Sequence, residues 1–282
     1  MRTIYKGVTA ALLATCCSSM ASAEGWQLHG FGDVSVKNDY VTPRGLVVTT
    51  KGVTIQVLNG LVAVSPGGVA FHAGTWVDIN PGYSKADGNI TAVNEFDYFF
   101  GVDYDIMPKL NVGVEYSEFI SGQPSVAFKN EHNIEFHAKY KDSADKGFTI
   151  NPYAKLFWAA WSKSSTVVLG KAGDTFDIEL GVVPTVKTGA LTLSAPTWIT
   201  VGPKTYWGLG AAKDGNVGVF STGLKASTPV SLFSSGAGAS VYAFAQYYNL
   251  INDNLVAAKA ILNSGANKRS HLQFGAGINV GF

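Results

Sequence analysis

Residues 93–106 read Val-Asn-Glu-Phe-Asp-Tyr-Phe-Phe-Gly-Val-Asp-Tyr-Asp-Ile. Phe96, Tyr98, Phe100, Val102, Tyr104 and Ile106 fall on one side of an extended chain. Glu95, Asp97, Asp103 and Asp105 fall on the other, with Phe99 and Gly101 between them. Side chains of a strand alternate sides with a period of two, so this segment is a strand with one apolar and one polar face. Leu110, Val112, Val114 and Tyr116 repeat the pattern against Asn111, Gly113, Glu115 and Ser117, as do Ile134, Phe136, Ala138 and Tyr140 against Asn133, Glu135, His137 and Lys139. Phe176, Ile178, Leu180 and Val182 oppose Asp177, Glu179 and Gly181. No segment beyond the N-terminus has a comparably clean helical period.

About twelve such segments start near Trp26, Leu46, Val69, Val93, Leu110, Asn130, Phe148, Asp174, Ala190, Val217, Ala239 and Ser270. The connections alternate in length. Short ones lie near 64–68, 105–109, 141–147, 186–190 and 234–238; longer polar ones lie near 80–92, 119–130, 161–173, 202–216 and 249–269. The first, around Asn38–Gly45, is intermediate. Short turns at one end, long loops at the other and an even strand number are the pattern of an outer-membrane barrel. The last segment alternates Leu272, Phe274, Ala276, Ile278 and Val280 with polar and small residues and stops on Phe282. That aromatic ending resembles the C-terminal strand by which outer-membrane proteins are recognised and inserted, so Phe282 is the expected insertion signal. The fold expected is all-β: a closed antiparallel up-and-down transmembrane barrel with both termini periplasmic. A secreted soluble β-sandwich is the structural alternative.

Composition agrees. The 282 residues are 46% hydrophobic and only 15% charged, against about 25% charged in a typical soluble domain. Mean hydropathy is +0.14, and no apolar run beyond the N-terminus reaches the roughly 18 residues of a membrane helix. Arg2 and Lys6, an apolar stretch from Val8 to Cys17, and Ala21-Ser22-Ala23 predict a secretory signal peptide over 1–23, with the barrel over 24–282. Leu13-Ala14-Thr15-Cys16 is a rival lipobox, disfavoured by the Thr before Cys16. Cleavage at Ala23 removes both cysteines and, with Arg2 and Lys6, turns a net charge of +1 into −1. Thiol chemistry is then absent, and a near-neutral chain does not fit nucleic acid as a partner. The expected partners are outer-membrane lipid and lipopolysaccharide, the barrel assembly machinery and small solutes or ions; a homo-oligomer is compatible with the sequence.

Asn38-Asp39-Tyr40-Val41, Arg44-Gly45 and Ala73-Gly74-Thr75-Trp76 resemble the first strands of the TorF-like porin family of Gram-negative bacteria. The likeness covers residues 30–106. Thr42-Pro43 replaces an aromatic usual in that family, and Phe71-His72 precedes the A-G-T-W segment. What the resemblance implies is an outer-membrane barrel of pore function.

In hydrocarbon every backbone group must pair, so the sheet closes and the apolar face points outward. The polar phase, with Gly32, Gly101, Gly113, Gly181, Gly275 and Gly277, then lines the lumen. Its pore-lining candidates are Asp33, Lys37, Asp78, Glu95, Asp97, Asp103, Glu115, Glu135, Lys139, Lys155, Asp177 and Glu179, with Lys225 as a further cation. Rings of carboxylates favour cations; the plainer alternative is that these groups pair across strands and fill a polar interior. Phe31, Trp76, Phe99, Tyr153 and Phe157 offer either a stacking track or packing. Of the histidines, His29, His72 and His271 share the polar face and have the option of clustering, while His132 and His137 lie on opposite sides of one strand; pore-lining imidazoles are the simpler assignment. Trp26, Tyr140 and Phe282 near the turns, with Tyr40, Tyr116, Trp158 and Trp161 near the loops, fit two interfacial girdles.

Neither an enzyme, a cofactor nor a metal is expected. No histidine has a Ser two residues on, as phospholipase barrels require, and no G-x-S-x-G or P-loop occurs. Asn89-Ile90-Thr91 matches a glycosylation sequon by chance. The function expected is a porin-like passive channel for small hydrophilic solutes in the bacterial outer membrane. The alternatives are a plugged barrel acting as adhesin or receptor through its loops, and a membrane-embedded hydrolase.

Overall fold

The computed structural model describes residues 25–50, 52–82, 92–122, 130–142, 147–161, 174–207, 216–232, 237–263 and 267–282. The predicted signal peptide, its rival lipobox and the 89–91 sequon lie outside these. In chain order the strands are β1 (Gln27–Lys37), β2 (Tyr40–Val41), β3 (Val47–Thr49), β4 (Thr54–Val64), β5 (Ala70–Ile79), β6 (Val93–Met107), β7 (Leu110–Ser121), β8 (Glu131–Tyr140) and β9 (Phe148–Thr149). There follow β10 (Pro152–Ala159), β11 (Thr175–Val182), β12 (Thr185–Thr188), β13 (Leu191–Ser194), β14 (Thr197–Val201), β15 (Val217–Val230), β16 (Gly238–Leu250) and β17 (Ser270–Gly281). Two helices, α1 (Lys204–Trp207) and α2 (Asp253–Leu262), flank β15 and β16.

Fifteen of these strands form one antiparallel sheet that closes through β1–β17 and β14–β15. They make a barrel of 12 wall strands, because β9–β10, β11–β12 and β13–β14 are three wall strands each broken once. The breaks fall at Asn151, Pro184 and Pro196 on adjacent strands near the turn end. Proline has no N–H for the ladder, so it sits where the ladder is already interrupted. Asn151 has φ +47°, and its own amide and that of Ile150 are taken up by the Asp142 carboxylate at 3.1 and 2.6 Å. The start of β1 and the end of β17 lie at the short-turn end. Phe282 completes the closure by exchanging backbone hydrogen bonds with Gly30 (2.7 and 3.0 Å).

The barrel is inside-out relative to a soluble protein. On β8, Glu131, Asn133, Glu135 and His137 are all 9% exposed or less, while Phe136 and Tyr140 are exposed at 45% and 41%. Phe71, Phe100, Ile178, Leu180, Leu224 and Phe274 continue this exposed apolar surface around the wall. Closed sheets with an apolar outside satisfy the backbone without water, which is the physical requirement for spanning a bilayer.

The sequence expectation needs correcting in four places. The second wall strand begins at Thr54, not near Leu46; Leu46–Thr49 belong to a β2–β3 hairpin that folds into the lumen. Gly32 lies on the outward phase, between inward Phe31 and Asp33, opposite Asn59 and Val280. Tyr40 does not join a membrane girdle: it is 5% exposed inside the barrel. Part of the expected loop at 249–269 is the helix α2, N-capped by Asn252, whose side chain accepts from the Asn254 N–H (2.9 Å).

The protein's only buried apolar cluster among the described residues lies within the lumen at the loop end. Val41, Leu46, Val47 and Val48 of the hairpin pack with Tyr206 and Trp207 of α1, Leu255 and Ala258 of α2, and Val219, Tyr248 and Leu250 of the wall.

Candidate functional site

The hairpin that enters the lumen is built by local chemistry. Thr42 N–H donates to Leu46 O (2.9 Å), its hydroxyl accepts from Leu46 N–H (3.1 Å), and Gly45 N–H donates to Thr42 O (2.9 Å). Gly45 has φ +88°, and a Cβ there would approach Val219 to 2.9 Å, so only glycine turns the chain against the wall here. Side chains from all round the barrel hold the hairpin in place. Trp198 donates its indole N–H to Pro43 O (2.9 Å), Gln273 its amide to Asp39 O (2.9 Å), and Asn263 its amide to Val47 O (2.9 Å). Asp39 also meets His271 at 3.1 Å.

Two residues at the hairpin tip face the acidic flank of the lumen. Tyr40 donates to Glu95 (2.6 Å) and packs against Trp76, with ring centroids 5.5 Å apart. Burial, then the Glu95, Asp97 and Asp78 carboxylates, push its phenol well above the usual tyrosine range, so it stays a donor. Arg44 donates to the Tyr206 hydroxyl (3.0 Å) and lies over the rings of Phe157 and Phe119, at 4.8 and 5.3 Å from their centroids. Burial alone would pull its pKa down; Tyr206, Glu131 and Asp177 outweigh that and raise it, so Arg44 is a fixed cation.

All twelve pore-lining candidates stand on the inward phase of their strands. On the acidic flank, Asp78 accepts from Thr54 (2.6 Å) and Gln56 (2.9 Å). Glu95, Asp97, Glu135 and Lys155 line one cavity with Arg44, and Lys155 meets Glu135 at 3.4 Å. Glu179 sits opposite Lys155 and Asp177 opposite Phe157. Nearer the turns, Asp103 joins His72 (2.9 Å) and His137 (2.7 Å); His72 reaches on to Glu115 (3.0 Å) and His137 to Glu135 (3.3 Å). Gly101 makes room for this, since a Cβ there would lie 2.6 Å from His72 Nε2. Lys139 lies opposite Asn111 and Tyr153. On the far flank Asp33 accepts from Tyr242 (2.8 Å), Lys37 donates to Gln56 and lies 5.6 Å from the centre of Phe244, and Lys225 lies 3.9 Å from that of Tyr242. Much of the carboxylate set is therefore paired with side chains of neighbouring strands.

Two adjoining cavities lie in the lumen among the described residues. One, of about 450 Å³, lies under the hairpin against the acidic flank. The other, of about 320 Å³, runs between Asp33, Lys225, Tyr242 and Gln246. Lys37, Gln56, Trp76, Trp198, Tyr248 and Gln273 line both. The expected lumenal aromatics do turn inward: Trp76 and Phe157 line the first cavity, Phe31 lies over Gly60, Phe99 over Gly74 and Tyr153 over Gly181.

The histidine cluster does not form. β1 and β17 are neighbours, but antiparallel ones, so Phe31 pairs with Gly281. His29 is thus at the turn end and His271 at the loop end, opposite Tyr248. The imidazoles that come together are His72 and His137, through Asp103. Sequence reasoning missed Arg44, Trp198, Tyr242, Phe244, Tyr248, Gln246 and Gln273. Local sequence does not reveal the phase of β14 and β16, because both faces of those strands carry aromatic and aliphatic side chains, and nothing local marks Arg44 as inward.

No known family profile matches the sequence, and no curated relative does. Among solved structures the fold is similar to the NanC porin (9% identity, TM-score 0.49, covering 88% of this chain and 98% of that one). It is also similar to an outer-membrane channel from Pseudomonas putida F1 (7% identity, TM-score 0.48, 94% and 98%) and to the outer-membrane channel DcaP of Acinetobacter baumannii (11%, 0.40, 94% and 99%). What the lumen does is argued below from its own geometry.

Proposed function

We propose that this chain is a porin-like passive channel for small hydrophilic solutes in the bacterial outer membrane, matured by removal of residues 1–23. One observation carries it: an apolar-outside barrel whose polar lumen contains two adjoining cavities lined by fixed charges of both signs. The inward hairpin narrows this passage and sets Arg44 across from the acidic flank. A solute passing it meets Arg44 and Lys37 with Glu95, Asp97 and Glu135 around them, a transverse field that sorts solutes by charge and size. Of the motif residues that carry the TorF-like resemblance, Asn38–Val41 and Arg44-Gly45 build the hairpin and Trp76 of Ala73-Gly74-Thr75-Trp76 packs against its Tyr40, which supports the finer assignment to that family. No step requires a catalytic group. Phe282, which zips β17 to β1, is proposed as the insertion signal read by the assembly machinery, with lipid and lipopolysaccharide around the wall.

Single-channel conductance in a planar bilayer, with reversal potential under a salt gradient, tests this. Discrete steps are expected, and the Asp97→Asn, Asp103→Asn double variant is expected to shift the reversal potential away from cations. A folded, inserted barrel that is silent in both forms removes the channel assignment.

A further inference from the structure

Around the 450 Å³ cavity, side-chain charges do not cancel evenly. Each cation there already has a partner: Lys155 has Glu135 at 3.4 Å, Lys37 has the Gln56 amide, and Arg44 has Tyr206 at 3.0 Å with Glu131 and Asp177 beside it. Glu95 takes the Tyr40 hydroxyl at 2.6 Å. What is left is the far side of Asp97, whose carboxyl meets that of Glu95 in a hydrogen bond, with Arg44 as the cation acting on the pair. Asp97 is only 8% exposed, lines the cavity, and its Oδ1 has no hydrogen-bond partner. A carboxylate oxygen withdrawn from water without a donor is costly unless a counter-charge reaches it.

Aromatic rings share the cavity wall with this oxygen, among them Trp76, Phe119, Phe157 and Trp198. Ring faces attract cations, most strongly where water is excluded. The chain itself demonstrates the preference, because the Arg44 guanidinium is held over Phe157 and Phe119 at 4.8 and 5.3 Å. An anion would meet the Asp97 and Glu95 carboxyls on the same wall and be repelled by them. A bare metal ion lacks its ligands, since no group of three His, Cys, Asp or Glu side chains converges among the described residues.

We infer that this cavity is a binding site for small organic cations carrying a guanidinium or ammonium group, held by Asp97 with Glu95 and stacked on the neighbouring rings. This rests on the channel assignment for the same lumen and names the class of solute that the channel retains longest. Arg44 then acts as a tethered competitor, occupying part of the aromatic surface that a free guanidinium would use.

The test uses the purified barrel with methylguanidinium as probe, N-methylurea as its neutral near-isostere and methanesulfonate as an anion. In a planar bilayer, methylguanidinium is expected to reduce the potassium current in a saturable way while the other two do not. Asp97→Asn is expected to weaken that block about tenfold, the size of one lost charge-assisted contact. Glu95→Gln is a second, milder variant should the first fail to fold. Tryptophan emission of the detergent-solubilised barrel gives a readout independent of conduction, since Trp76 and Trp198 line the cavity. Saturable quenching by methylguanidinium that Asp97→Asn weakens supports the site even in an electrically silent barrel, where the channel assignment alone falls. Equal responses to the three probes, or a response that both variants leave unchanged, overturns the site; conduction that persists then leaves the channel assignment standing.

Discussion

The wall of the barrel and the hairpin inside it place apolar side chains by opposite rules. On the wall, Phe100 is 54% exposed and Leu224 is 70% exposed, facing outward. In the lumen, Val47, Trp207 and Leu255 are fully buried in a small core. The difference begins in the backbone. Each wall strand has its N–H and C=O groups taken by two neighbours, so its side chains are free to face hydrocarbon. The hairpin pairs through only two short strands and completes its hydrogen bonds with side chains of Trp198, Asn263 and Gln273. The wall therefore decides whether a barrel exists, and on the proposed channel reading the hairpin sets the width of its passage. Changes to the two regions are expected to separate into stability effects and conduction effects.

The strongest way to break that contrast is to replace residues 40–48 by a short Gly/Ser link. The expected outcome is a several-fold rise in single-channel conductance with the barrel still resistant to unfolding in detergent. Loss of the folded barrel would mean the hairpin is a scaffold rather than a constriction. The reverse experiment is Phe136→Arg on the outward face of β8, where Phe136 lies opposite Val114 and Leu156 in mid-wall. It is expected to cost about 2–4 kcal/mol in equilibrium unfolding with conductance unaltered. Arginine at Val47, in the lumenal core, should instead expel the hairpin and raise conductance as the deletion does.

The same contrast governs what the sequence discloses. The wall is legible wherever one face is apolar and the other polar, as along 93–106, 110–117 and 131–140, because alternation records lipid on one side and lumen on the other. Legibility fails where that asymmetry disappears. Leu46-Val47-Val48 reads as more wall, yet the run is apolar because the hairpin is surrounded by other loops, an arrangement no local pattern encodes. On β16, inward Tyr242 and Phe244 alternate with outward Val241 and Tyr247 on faces of similar polarity, so the phase emerges only from pairing with β15 and β17. The candidate site is thus half-visible. Its wall carboxylates follow from periodicity. Arg44, the cation they surround, and the aromatic side chains of the far flank depend on which loop folds inward.

A subtler perturbation keeps the hairpin and loosens its turn. Gly45→Ala introduces a Cβ at φ +88°, 2.9 Å from Val219, and left-handed backbone alone costs a non-glycine residue roughly 1–2 kcal/mol. The expected signature is rapid flicker between the wild-type level and a larger one, with barrel unfolding unchanged. A quiet channel at wild-type conductance would show that the turn relaxes without moving Arg44.

The smallest effect is expected at Trp198→Phe, which tests whether a single wall contact positions the tip. Trp198 makes two contacts: its indole N–H donates to Pro43 O (2.9 Å), and its ring meets Tyr248 nearly edge-on, with centroids 5.9 Å apart at 81°. Phenylalanine preserves an aromatic surface toward Tyr248 but removes the donor. One neutral hydrogen bond is worth about 1 kcal/mol net, too little to release a hairpin also held by Gln273, Asn263 and Tyr40. The mean conductance should stay close to wild type, with a brief, rare excursion to the larger level that Gly45→Ala populates more often. If Trp198→Phe opens the channel as fully as the hairpin deletion, the tip hangs on that one bond. The cooperative lumenal core would then be the wrong account of what holds the constriction closed.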